Sequence, residues 1–254
     1  MNPAIRNPRP AADAPFASRR ARLAALVLIV LPSCAAPAVR SMPDSNAEPM
    51  TQVRFLALGD SYTIGEGVAA PERWPSQLAA MMRTRGVPVA EPEIVARTGW
   101  TTEELQNGVA QAAPRGPYQL VTLMIGVNNQ YRGLGVDEYR TQFAALLADA
   151  VGFAGGEPKR VIVLSIPDWG VTPYANGRDR DRIASEIDLF NAVNRGEAQR
   201  VGTRYVDVTS RSRDVAADST LVGPDGLHPT GRMYDGWASD ALPQALQAVG
   251  FRKH

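Results

Sequence analysis

The chain has 254 residues, 44% of them hydrophobic, with 27 basic and 26 acidic side chains and a formal charge of +1 at pH 7. That length and composition suit one ordinary globular domain with a sizeable core plus an appendage. The near-neutral balance, with no basic patch in the body of the chain, excludes nucleic acid as the expected partner.

The appendage comes first in chain order. Residues 1–18 are rich in Pro and Ala, and Arg19, Arg20 and Arg22 then precede an apolar run at 23–31 that ends in Pro32-Ser33-Cys34-Ala35-Ala36. This is the layout of an export signal, here residues 1–34. The run is well short of the roughly 20 residues that span a bilayer, and it lacks the polar face of an amphipathic core helix. Cys34 is the only cysteine, so it carries no information about disulfides. Leu31-Pro32-Ser33-Cys34 is similar to the box at which bacterial lipoproteins are cleaved and lipidated, although Pro32 departs from it. Lipidation at Cys34, which would tether the domain to a membrane, and simple cleavage nearby both stay open. Ser18-Arg19-Arg20 also resembles part of a twin-arginine signal, with Arg22 where an aromatic or apolar residue is usual. By either route the body is expected outside the cytoplasm, in the periplasm, on the cell envelope or secreted. Without residues 1–33 the chain keeps 22 basic and 25 acidic side chains. Residues 35–51 read as a flexible tether with no core of their own.

From residue 52 to 254 apolar strand-like runs alternate with helical patterns. The runs are 53–58, 93–96, 120–125, 160–166 and 205–208. The helical patterns are 74–85, 101–112, 136–153, 182–201 and 234–249, each with enough apolar recurrence for one buried face. Such alternation predicts a parallel sheet with helices on both faces. Thr101-Thr102-Glu103-Glu104 has the spacing of a capping box, which makes 96–100 a loop between the second strand and its helix. No internal repeat is visible, so one domain is the simplest account.

Chemistry gathers at the ends of these runs. Ser61 follows Val53-Arg54-Phe55-Leu56-Ala57-Leu58-Gly59-Asp60, where a buried strand ends and active sites of open α/β sheets lie. A serine hydroxyl near neutral pH needs a base and a group to hold that base's tautomer. The chain has two histidines, and His254 is its last residue, which leaves His228 as the base. Asp225 lies three residues earlier in a Gly- and Pro-rich turn that can fold the carboxylate back to the ring. Taken alone, Asp225 and His228 read as a turn with a capped histidine; beside Ser61 and Asn128 they read as catalytic. Three oxyanion donors come from separate strand ends: the Ser61 amide, the Gly99 amide and the Asn128 side chain. Taken alone, Gly99 is a tight-turn glycine and Asn128 an Asx turn, the reading preferred for Asn129. Asp60 is read as holding the turn. Ser165 also ends a strand but has no second histidine to activate it. Trp169 and Tyr174 follow the fourth strand and line the site or serve packing, with residues 178–182 as a solvated rim.

Gly59-Asp60-Ser61-Tyr62, Gly99, Gly126-x-Asn128 and Asp225-x-x-His228, in that order, resemble the four blocks of the SGNH (GDSL-like) hydrolases, from about residue 53 to the C-terminal helix. The resemblance implies a three-layer α/β/α flavodoxin-like fold with a five-stranded parallel sheet, no cofactor, and hydrolysis of ester or less often thioester bonds. Tyr62 stands where the family label has leucine, and Asn129 where an aspartate often follows.

The expectation is therefore an exported serine esterase acting through an acyl-enzyme on a small-molecule, glycan or lipid ester. A flavodoxin-like nucleotide or flavin binder is a rival. Asp60 and Glu66 in the first loop would repel phosphate, and the loop lacks a P-loop lysine. A non-catalytic envelope lipoprotein and an acyltransferase using the same triad are the other readings.

Overall fold

Five short strands, the central three made mostly of Val, Ile, Leu and Phe, pair as a single parallel sheet: β1 (Phe55–Gly59), β2 (Glu93–Ala96), β3 (Leu120–Met124), β4 (Val161–Leu164) and β5 (Arg204–Val206), in the order β2-β1-β3-β4-β5. The structure is a computed structural model and describes residues 52–251. The segment 1–34 expected as an export signal, with Cys34, the segment 35–51 expected as a tether, and His254 lie outside the described residues. The three central strands β1, β3 and β4 are buried at every position, as strands covered on both faces must be. The edge strands β2 and β5 are partly exposed.

Among the described residues eight α-helices connect and cover the sheet: α1 (Ser61–Ile64), α2 (Trp74–Thr84), α3 (Thr102–Ala112), α4 (Val127–Tyr131), α5 (Val136–Phe153), α6 (Arg180–Val201), α7 (Thr209–Ser212) and α8 (Gly231–Ala248). α2 packs on α8 as one layer, and α3, α5 and α6 pack in a row as the other. Trp74, Tyr234 and Trp237 fill the first layer, Tyr139 and Phe143 the second, all fully buried. No described helix is long and apolar enough to cross a membrane.

The three-layer α/β/α arrangement is the predicted one, with shifts at the ends. α6 starts two residues before the predicted 182 because Asp179 caps it, its carboxylate accepting from the Arg182 amide at 3.0 Å. The capping box at Thr101 forms in full: the hydroxyl accepts from the Glu104 amide and Glu104 accepts from the Thr101 amide at 2.8 Å. α1, α4 and α7 were not predicted. α1 and α4 follow β1 and β3 directly, and they hold Ser61 and Asn128.

Register places the loops of interest side by side. Gly59 pairs with Ala96 on one side and Met124 on the other, so the first three strands end level. The chain runs from β1 out to β2 and then returns across β1 to β3. That reversal of strand order opens a crevice at the C-terminal ends of the strands, where open α/β sheets bind ligands.

Candidate active site

The chain turns from β1 into α1 without an intervening loop. Asp60 is the N-cap, its Oδ1 accepting from the Tyr62 amide at 3.0 Å, and Ser61 is the first helical residue. An amide in that position has no acceptor inside its own helix. Glycine is required just before the turn, since a Cβ on Gly59 would lie 2.6 Å from the Met124 carbonyl oxygen and would also strike Thr63. Asp60 is fully buried and its Oδ2 has no hydrogen-bond partner. Burial pushes its carboxyl up to about 7, against the opposing pull of the Tyr62 amide.

Gly99 occupies the turn after β2, closed by the Trp100 amide on the Arg97 carbonyl at 3.2 Å. Its φ is +84°, and the nearest atom to an added Cβ would be Arg132 Nη2, 3.8 Å away. Backbone conformation therefore requires the glycine, with no crowding at the missing side chain. The Gly99 carbonyl accepts from Arg132 at 2.6 Å, while its amide has no acceptor among the described residues.

Asn128 is the second residue of α4, after β3. Its Nδ2 donates to the Trp100 carbonyl at 2.9 Å, which pins the amide and leaves its second hydrogen unused. Asn129, expected as a local Asx turn, is instead a long-range tie. It is buried, its Oδ1 accepts from the Thr102 amide at 3.0 Å and its Nδ2 donates to the Thr102 hydroxyl at 2.7 Å. Those two bonds fix α4 against the start of α3.

His228 comes from the loop before α8. Its Nδ1 lies 2.6 Å from Asp225 Oδ2, and Asp225 Oδ1 accepts from the Leu227 and His228 amides, each at 2.9 Å. Partial burial raises the Asp225 carboxyl, but the two amides and the imidazole outweigh it and hold the group below its usual range. The loop is stitched to its surroundings by the Gly223 amide on the His228 carbonyl at 2.8 Å and the Tyr174 amide on the Gly226 carbonyl at 2.9 Å. The Tyr62 ring lies against the imidazole, with centroids 5.4 Å apart.

Ser61, Gly99, Asn128, Trp169, Tyr174 and His228 all line one cavity of about 140 Å³, with Asp225 behind the imidazole. Trp169 is buried, and its indole donates to Gln130 Oε1 at 2.8 Å. Tyr131 and Tyr174 meet through their hydroxyls at 2.9 Å, and the Tyr131 ring meets Trp169 edge-on at 5.4 Å. Trp169 and Tyr174 thus both wall the cavity and pack. The run 178–182 is more than a solvated rim: the Arg178 guanidinium sits 5.2 to 5.4 Å from the Tyr131, Trp169 and Tyr174 rings. Arg180 donates to the Gly170 and Thr172 carbonyls at 2.8 and 3.1 Å. Ser165 is fully buried and lies outside the cavity, its oxygen accepting from the Val208 and Thr209 amides. Among the described residues no three His, Cys, Asp or Glu side chains gather to hold an ion.

The sequence profile of the GDSL-like lipase/acylhydrolase family matches residues 57–235. The chain belongs to the GDSL-like lipase/acylhydrolase family. That membership carries hydrolysis of ester bonds as its class of chemistry. Solved structures with the same fold include TesA, at 18% identity and TM-score 0.61, covering 77% of this chain and 99% of that one. The esterase EstA from Pseudoalteromonas sp. aligns at 16% identity and TM-score 0.60, covering 78% and 98%. The acetylxylan esterase Axe2 from Geobacillus stearothermophilus aligns at 17% identity and TM-score 0.56, covering 79% and 95%. No curated protein matches the chain by sequence.

The cavity has walls beyond those expected from the sequence. Tyr62, Thr98, Val127, Tyr131 and Leu227 also line the cavity. Tyr131 was recoverable: had 127–131 been read as helix, Asn128 and Tyr131 at i and i+3 would share a face. Leu227 had a signal in its position between Asp225 and His228. Tyr62, at the leucine position of the family label, is neutral, its phenol raised by burial and then by the carboxylates of Asp60, Asp225 and Asp168.

Proposed function

We propose that this chain is a serine esterase in which Ser61 is the nucleophile, His228 the base and Asp225 the group that orients it. The observation that carries the reading is the 2.6 Å contact between Asp225 Oδ2 and His228 Nδ1, on a ring that shares its cavity with Ser61. With its Nδ1 hydrogen given to Asp225, the imidazole keeps Nε2 as a lone-pair acceptor. Nε2 takes the Ser61 proton as Oγ adds to the ester carbonyl. The oxyanion accepts hydrogen bonds from the Ser61 amide, the Gly99 amide and the second Nδ2 hydrogen of Asn128. Collapse expels the alcohol, which receives the proton from Nε2. Water then enters, gives its proton to His228 and attacks the acyl-enzyme, and Ser61 recovers its proton as the acid leaves.

The fixed partners of these groups support the assignment, because each donor is held before substrate arrives. The N-terminal 34 residues add the proposal that the reaction takes place outside the cytoplasm. The Pseudoalteromonas esterase is inhibited by monoethylphosphonate, and a phosphonate is therefore the reagent of choice for this serine. The test is turnover of p-nitrophenyl esters by the purified chain beside Ser61→Ala, with intact mass after phosphonate treatment. Turnover that vanishes in the variant, with one adduct on the wild type and none on the variant, is expected. Equal turnover in the two proteins would remove Ser61 from the mechanism.

A further inference from the structure

Two cavities meet at this site. Tyr62, Trp169 and Leu227 line both the cavity that holds Ser61 and a smaller void of about 10 Å³. Its other walls are mostly apolar, among them Pro167, Val215, Met233 and Trp237, with Asp168, Thr172 and Ser212 as the polar ones. The three shared side chains are therefore a partition between the site and a largely apolar interior.

The partition is unequal. Trp169 is held by its indole hydrogen bond to Gln130. The Tyr62 ring is wedged between His228 and Trp237, at 5.4 and 6.0 Å. Leu227 is half-buried and aliphatic, with no directional contact of its side chain. Its backbone is nevertheless fixed, since its amide donates to Asp225 at 2.9 Å. Shortening this side chain alters the depth of the site while the turn that carries His228 keeps its hydrogen bonds. Two further walls of the cavity, Tyr131 and Tyr174, are 42% and 41% exposed, with Arg178 over them. That wet, polar mouth suits the alcohol part of an ester, and the inner wall at Leu227 suits the acyl part.

We propose that Leu227 is the residue that limits acyl length, and that the substrates are esters of short acyl groups of about two to four carbons; the inference rests on the serine-esterase reading above. A closed cavity of about 150 Å³ holds one benzene, six carbons. The site offers about 140 Å³ and is open to solvent at its mouth, so the alcohol part extends outward and the acyl tail is bounded by the inner wall. A longer chain meets Leu227. Truncation of that side chain joins the site to the void behind it.

The experiment compares kcat/KM of the full chain on p-nitrophenyl acetate, butyrate, octanoate and decanoate with that of Leu227→Ala and Leu227→Phe, with Ser61→Ala as blank. Leu227 touches the site, so the readout is the octanoate-to-acetate ratio within each protein. The ratio is expected to rise at least about tenfold in Leu227→Ala and to fall in Leu227→Phe, the scale on which a pocket wall discriminates methylenes. An octanoate-to-acetate ratio near one in the wild type, or one that stays within about twofold in Leu227→Ala, overturns the proposal. Should the alanine variant not fold, Leu227→Val takes its place, with the same direction required. Cleavage that survives in Ser61→Ala, or no cleavage of any ester, sinks the esterase reading separately. The partition is then read without catalysis, by the change in tryptophan emission as decanoate is titrated in, because Trp169 and Trp237 line the void. Tighter decanoate binding in Leu227→Ala than in the wild type sustains the partition, and equal binding overturns it.

Discussion

Asp225 and His228 are joined twice: Oδ2 meets the ring Nδ1 at 2.6 Å, and Oδ1 accepts from the His228 amide at 2.9 Å. One carboxylate thus shapes the turn with one oxygen and orients the imidazole with the other. The two tasks fall on different atoms, so they can be separated by substitution.

Asp225→Asn keeps an oxygen for the Leu227 and His228 amides and turns an NH₂ group toward the ring. Nδ1 must then accept, Nε2 carries the hydrogen, and His228 loses its capacity to take the Ser61 proton. The expected loss in kcat is about 10³- to 10⁴-fold, with little change in the melting temperature. A fall of less than about tenfold would count against Asp225 as the orienting group.

Asn128→Ala addresses the oxyanion. The Asn128 Nδ2 spends one hydrogen on the Trp100 carbonyl at 2.9 Å and has a second, which the proposed mechanism assigns to a charge that exists only during reaction. Removal is expected to lower kcat by about 100- to 1,000-fold with KM little altered. Steady-state kinetics beside a thermal melt checks this. A rise in KM with unchanged kcat would assign Asn128 to ground-state binding instead.

Long elements were legible because periodicity had room to repeat. The helix expected at 136–153 is α5, Val136–Phe153, end to end, and the strand expected at 93–96 is β2. α1 and α4 span four and five residues, about one turn each, too short for a 3.6-residue period to show. The blocks around Ser61, Asn128 and His228 were readable as candidates, since few residue types can supply a nucleophile, an amide donor or a base, and the three residues line one cavity. Asn129 was misread because its partner Thr102 lies 27 residues away, and nothing local announces a tertiary bond.

Asn129→Ala tests that bond. Thr102 is fully buried and Asn129 nearly so, so truncation leaves the Thr102 amide and hydroxyl without this partner. Leaving buried polar groups unpaired costs about 2–3 kcal/mol, a fall of roughly 4–12 °C in melting temperature for a domain of this size. Because α4 also carries Asn128, kcat is expected to fall with it. Asn129→Asp keeps an acceptor for the Thr102 amide and is expected to recover part of both losses. An unchanged melt for Asn129→Ala would show that α4 is held by other means.

Asp60 gives a prediction with a sign. Its Oδ1 accepts from the Tyr62 amide, its Oδ2 has no partner, and burial raises the carboxyl from 3.8 to about 7. The folded state therefore favours the protonated form. Stability from this group is complete below about pH 4, falls as pH rises toward 7 as the unfolded chain ionises first, and is level above that. Asp60→Asn keeps the helix cap and removes the titration. Urea unfolding of both proteins at pH 4, 6 and 8 is expected to show the wild type losing stability relative to the variant as pH rises. The whole difference is on the order of 4 kcal/mol. A gap between the two proteins that does not change with pH would mean that this carboxyl ionises as easily in the folded chain as in the unfolded one.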